Sequence, residues 1–97
     1  MYLHLGNGVL VDEKDVIGIF DLEITSQSYR TRQYLNRAEK NGHVTYVDIE
    51  ELPKSFVVCA SKGQRQTVYL SPLASQTLQR RSARRWWEEN ELLAISY

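Results

Sequence analysis

The sequence has one cysteine, no net charge and no apolar run of 18 residues. Each shortage excludes something. A lone Cys59, set between Val58 and Ala60, cannot close an intrachain disulfide and reads as a small buried hydrophobe rather than a nucleophile. The missing apolar run removes a membrane-spanning helix, so no membrane partner is expected. The opening MYLHLGNG has no basic stretch ahead of its apolar residues, and those residues are too few for a signal peptide; the expected location is cytoplasmic. Twelve basic against twelve acidic side chains exclude a uniformly basic coat for nucleic acid. The two histidines, His4 and His43, sit in strand-like segments, and no pair of residues has metal-ligand spacing. Glycine clusters only in GNG at 6–8, which lacks the lysine and following helix of a phosphate loop. Asp12, Glu13 and Asp15, and likewise Asp48, Glu50 and Glu51, read as solvated turn residues. No catalytic residue, metal, cofactor or small-molecule substrate is expected, and the chain is not read as an enzyme.

What is present suits one soluble α+β domain spanning residues 1–97, with 42% hydrophobic and 25% charged residues. A domain of this length buries roughly 60–65% of the surface its unfolded chain exposes, which leaves room for stabilisation by a second copy. YLHL and VLV flank the GNG turn as two short strands. VIGIFDL, from Val16 to about Leu22, is a nearly unbroken apolar strand of the kind covered on both faces, and Gly18 marks a bulge or a close backbone approach. A helix is expected from Thr25 or Ser26 to Asn41 with Gly42 as its left-handed stop. Thr31, Tyr34, Leu35 and Ala38 form its apolar stripe, with Arg30, Arg37 and Lys40 on its wet side. HVTYVDI reads as a strand, and residues 54–60 and 65–70 as a β-hairpin. Ser71-Pro72 reads as the start of a second helix. The expected architecture is an antiparallel sheet of four or more strands with two helices.

Charge is neutral in sum but uneven along the chain: residues 1–24 carry a net −4 and residues 25–45 a net +3. Arg80, Arg81, Arg84 and Arg85 fall within six residues. On a helix begun at Pro72, Arg80 with Arg84 and Arg81 with Arg85 form two pairs about 100° apart, a broad basic surface. Like-charge pairs at that spacing cost about 0.2–0.5 kcal/mol each. A helix C-terminus, Glu88 and Glu89 four residues on, or phosphates each offset that cost. The residues alone leave two readings open, an internally paired solvated helix and an anion-binding surface. A single copy offers few phosphate contacts, whereas a symmetric assembly repeats them and raises their effective concentration. Strand 16–22 and the Trp86-Trp87 tail supply apolar surface for such an assembly.

YLHLGNGVLVDEKDVIGIFD, VVCA after LPKSF, and VYLSPLASQTLQRR, in that order, resemble the small bacterial regulators of extracellular matrix (biofilm) genes. This is the RemA/RemB-like family, and the likeness leans to its shorter B-type branch. The resemblance covers roughly residues 1–81 and leaves 82–97 as a C-terminal helical extension. It implies a cytoplasmic, DNA-binding, transcription-associated protein that assembles into a ring or another homo-oligomer. A-type relatives carry an arginine pair before the apolar hairpin strand; the matching segment here is Leu52-Pro53-Lys54-Ser55, with Lys54 its only base. Lys14-Asp15 likewise stands where those relatives place an arginine. The residues expected to meet double-stranded DNA are therefore Lys54, Lys62, Arg65, Arg80, Arg81, Arg84 and Arg85, through backbone phosphate more than base edges. The alternative is an oligomeric protein-interaction module that does not touch DNA.

Overall fold

The computed structural model describes residues 1–61 and 63–82. The chain opens with a hairpin of β1 (Tyr2–Gly6) and β2 (Val9–Asp12), whose tip is Asn7-Gly8. Asn7 and Gly8 take φ of 49° and 75°, the left-handed pair that a two-residue hairpin turn requires. The Asn7 side-chain amide donates to the carbonyl of Val47 at 3.0 Å and pins the turn to the far side of the molecule.

A short 3₁₀ turn (Glu13–Asp15) leads into β3 (Val16–Asp21). Then come α1 (Leu22–Thr25), α2 (Tyr29–Lys40), β4 (Val44–Tyr46), β5 (Ser55–Cys59), β6 (Thr67–Ser71) and α3 (Ser75–Arg81). Strands β3 to β6 form one sheet in the order β3-β5-β6-β4. The β3–β5 and β5–β6 pairs are antiparallel, but β4 runs parallel to β6. The sheet is therefore mixed, and the β1–β2 hairpin stands apart as a second, two-stranded sheet, in place of the single antiparallel sheet expected. The reason is topological: β4 enters after α2 has crossed the sheet, and such a crossover delivers a strand in parallel.

Strand β5 is buried along its whole length, because both faces of the sheet are covered. Val57 and Cys59 point to one side, into a cluster with Leu3, Leu5 and Val11 of the hairpin, Ile19 of β3 and Leu78 of α3. Phe56 and Val58 point to the other, where Val68 and Ala38 join them beneath α2. A bulge at Ile17, next to Gly18, makes β3 fit both layers. The register slips between Val16 and Gly18, so that Ile19 pairs with Val57 on the first face and Phe20 with Phe56 on the second. The Phe20 and Phe56 rings stack at 4.9 Å between centroids, with planes 20° apart.

The helices differ from expectation in their ends. In place of one helix from 25 or 26 to 41 there are two. Asp21 caps α1 by accepting from the Ile24 amide at 2.9 Å, and Ser28, not Ser26, caps α2 by accepting from Thr31. The stripe of Thr31, Tyr34, Leu35 and Ala38 faces the sheet as its spacing dictates, and Gly42 stops the helix at φ 74°. Ser71-Pro72 begins no helix. The Ser71 hydroxyl donates to the Leu5 carbonyl at 2.7 Å and accepts from the Leu73 amide at 3.1 Å, so it closes a turn inside the core. The helix starts three residues later, behind Ala74, without a side-chain cap. Glu13, expected in solvent, is 6% exposed, because its amide hydrogen-bonds to the Met1 carbonyl and draws the 3₁₀ turn against the start of β1.

Candidate nucleic-acid interface

Arg80 and Arg81 occupy the last turn of α3 and are exposed. Leu78, fully buried against β1 and β3, holds the helix down and turns these arginines outward. Cations at a helix C-terminus meet the negative end of the helix dipole, which favours this placement without any partner. The helix ends where Ser82 adopts extended geometry, with φ −77° and ψ 146°. Four-residue pairing of Arg80 with Arg84 and of Arg81 with Arg85 is thus not carried by α3. Arg84 and Arg85 lie outside the described residues, as do Glu88, Glu89 and the tryptophans.

Lys54 is exposed at the entry to β5 on a fixed backbone. Its amide donates to the Ser71 carbonyl at 2.8 Å, and its carbonyl accepts from the Leu22 amide at 3.0 Å. Arg65 is exposed in the β5–β6 connection, where Gly63 takes φ 78° and the Gln64 amide closes on the Ser61 carbonyl at 2.9 Å. Lys62 in the same connection lies outside the described residues. The length of β5 separates Lys54 from Arg65, on the order of 15 Å. One copy therefore does not gather them into a single patch. Among the described residues, no carboxylate lies within ion-pair distance of Lys54, Arg65, Arg80 or Arg81, whereas Lys14 pairs with Asp12 at 3.7 Å.

A second basic surface lies on α2, where Arg30, Arg32, Arg37 and Lys40 are exposed. The local charge of +3 and the helical spacing mark it in the sequence. Arg32 is partly engaged, donating to the Ser26 and Gln27 carbonyls at 3.2 and 3.4 Å.

The other reactive groups have structural surroundings. Cys59 is buried, and burial, with the nearby Asp15 charge adding to it, pushes its thiol up to about 12. Among the described residues no three His, Cys, Asp or Glu side chains converge on a metal site. No described helix is long and apolar enough to cross a membrane. The largely apolar hollow beside α2, about 180 Å³, is floored by Phe20, Phe56 and Val58 and lacks converging polar groups of a catalytic kind.

The described residues form an α+β scaffold, a sheet covered on both faces, that presents cations on helix and loop ends. Comparison with known proteins places this scaffold in a family. The family model described as "Extracellular matrix regulatory protein A-like" matches residues 2–81, so the chain belongs to that family. It is also 35% identical over 82 residues to "Extracellular matrix regulatory protein B" of Bacillus subtilis (strain 168), covering 84% of this chain and 90% of that protein.

Proposed function

We propose that the chain is a homo-oligomeric, cytoplasmic, DNA-binding regulator of extracellular matrix genes that grips backbone phosphate. The observation that carries this reading is the exposed Arg80-Arg81 pair at the end of α3, without a carboxylate partner among the described residues. The regulatory role named for the Bacillus subtilis relative supports it. Lys54 and Arg65 add one cation at each end of β5, and Lys62, Arg84 and Arg85 extend the same set in sequence. Contacts to backbone phosphate leave selectivity to duplex shape and to spacing between copies. Each copy contributes few contacts, and association of several copies makes them cooperative.

The test is a salt titration of binding to duplex DNA. An assembly engaging four phosphates loses about 100-fold in affinity between 50 and 200 mM salt. Arg80→Ala with Arg81→Ala should weaken binding across all sequences and flatten that slope. Absence of any duplex complex at 50 mM salt would leave the second reading, a protein-interaction module. That reading is favoured by the near-complete exposure of Ile49 and Leu52, 87% and 86%.

A further inference from the structure

The outward face of α2 carries groups that charge alone does not explain. Thr31, Tyr34, Leu35 and Ala38 turn toward the sheet. At about 100° per residue, Tyr29, Gln33, Asn36 and Lys40 then fall on one line on the opposite side, all of them exposed. Arg37 flanks that line on one side, and Arg32 and Glu39 lie on the other. The helix dipole accounts for Arg37 and Lys40, since both sit in the last turn. It does not account for two side-chain amides in the middle. Asparagine is a poor helix former, and among the described residues the Asn36 side chain makes no hydrogen bond in return. Gln33 is held in place: its Nε2 donates to the Tyr29 hydroxyl at 2.7 Å, which leaves its second N–H and its carbonyl oxygen available.

A donor beside an acceptor on one planar amide is the pattern that pairs with adenine, whose N6 donates and N7 accepts in the major groove. That groove is about 12 Å wide and admits an α-helix. Gln33 and Asn36 are about 4.5 Å apart along the helix axis, close to the roughly 3.4 Å between stacked base pairs, so the two amides meet neighbouring pairs. The segment 25–45 carries a net +3, which suits the phosphates on either side of the groove. α2 covers one face of the sheet and α3 the other, so this surface is separate from the Arg80-Arg81 pair.

We infer that α2 lies in the major groove of duplex DNA and reads two neighbouring A·T pairs through Gln33 and Asn36. The inference rests on the DNA-binding part of the function proposed above, and it adds a direct reading of base edges to the phosphate contacts. Arg37 and Lys40 meet phosphate at the C-terminal end of the helix and fix its position, while the amides supply the discrimination.

Selection of duplexes from a randomised pool by the full chain, followed by affinity measurements, tests it. The selected site should contain two adjacent A·T pairs and bind at least about tenfold more tightly than a scrambled duplex. Gln33→Ala with Asn36→Ala removes both amides at exposed positions without changing charge, and alanine keeps the helix, so Tm holds or rises. That variant should bring the ratio to within about twofold, while its affinity for the scrambled duplex and its salt slope stay at wild-type values. Arg80→Ala with Arg81→Ala should weaken both duplexes alike and keep the ratio. A pool that yields no preferred sequence, or a preferred site lacking those pairs, overturns the inference and leaves the phosphate reading standing. A ratio that survives loss of both amides does the same, and is the result expected if α2 meets a protein instead. Equal weakening of both duplexes by the amide variant makes α2 a contact without selectivity and overturns the inference too. Absence of any duplex complex at 50 mM salt ends both readings.

Discussion

The Ser71 hydroxyl donates to the Leu5 carbonyl at 2.7 Å, joining the end of β6 to the opening hairpin across 66 positions of sequence. Both residues are fully buried. The same oxygen accepts from the Leu73 amide, so one hydroxyl satisfies a carbonyl and an amide that have no water to turn to. Ser71→Ala should destabilise the fold by about 1–3 kcal/mol, the cost of leaving such groups unpaired. Denaturant unfolding measures this directly. A change below about 0.5 kcal/mol means that water or a backbone shift replaces the hydroxyl.

Gly6, beside that carbonyl, takes φ 107° and faces Pro72, whose Cγ lies 3.5 Å from where a Cβ would sit. The contact is ordinary, but the backbone conformation is not one that alanine adopts comfortably. Gly6→Ala should cost about 1–3 kcal/mol. At about 4–8 °C per kcal/mol for a domain of this size, the loss is visible in a thermal melt. An unchanged melting temperature would show that the hairpin re-forms its turn with another register.

The stacked pair on the second face differs in burial, Phe56 at 3% exposure and Phe20 half-buried on the edge strand. Phe56→Ala should therefore cost about 3–5 kcal/mol and Phe20→Ala distinctly less. The double variant should show a coupling of about 0.5–1.5 kcal/mol from the ring contact itself. Equal single losses would contradict the layered arrangement.

Cys59 links stability to alkaline pH. Its thiol is pushed from 9.0 up to about 12 by burial, so the folded state keeps its proton where the unfolded chain loses it. The stabilisation is fully present below pH 9 and is lost between 9 and 12, with a slope of at most about 1.4 kcal/mol per pH unit. Other groups titrate in that range, so the measurement is the difference between wild type and Cys59→Ala. That difference should shrink as pH rises. Thiol reagents should also leave Cys59 untouched at pH 8 until the chain unfolds; rapid labelling of the native protein would contradict its burial.

Local chemistry was readable from the residues, and long-range partnership was not. Asn7-Gly8 dictates a hairpin turn, Gly18 adjoins the bulge at Ile17, and the stripe from Thr31 to Ala38 faces inward, because each rule involves neighbours only. Ser71-Pro72 has every local sign of a helix start, yet the serine is claimed by Leu5, which no local rule foresees. The parallel seat of β4 has the same origin, since its partner β6 lies more than twenty residues downstream. The basic candidates divided similarly. Exposure of Arg80 and Arg81 follows from Leu78 facing the core, whereas the separation of Lys54 from Arg65 depends on strand order. The exposure of Ile49 was hidden because it ends the strand-like run HVTYVDI, whose apolar residues look destined for burial.

Strand order also constrains how the protein is made. β5 and β6 are translated last of the four yet occupy the middle of the sheet, between two strands that already exist. Until Ser71 clears the ribosome, β4 has no neighbour, β5 has only β3 beside it, and α2 has only part of its surface to rest on. A nascent chain stopped before residue 67 should therefore stay susceptible to protease along its length, and resistance should arrive in one step rather than element by element.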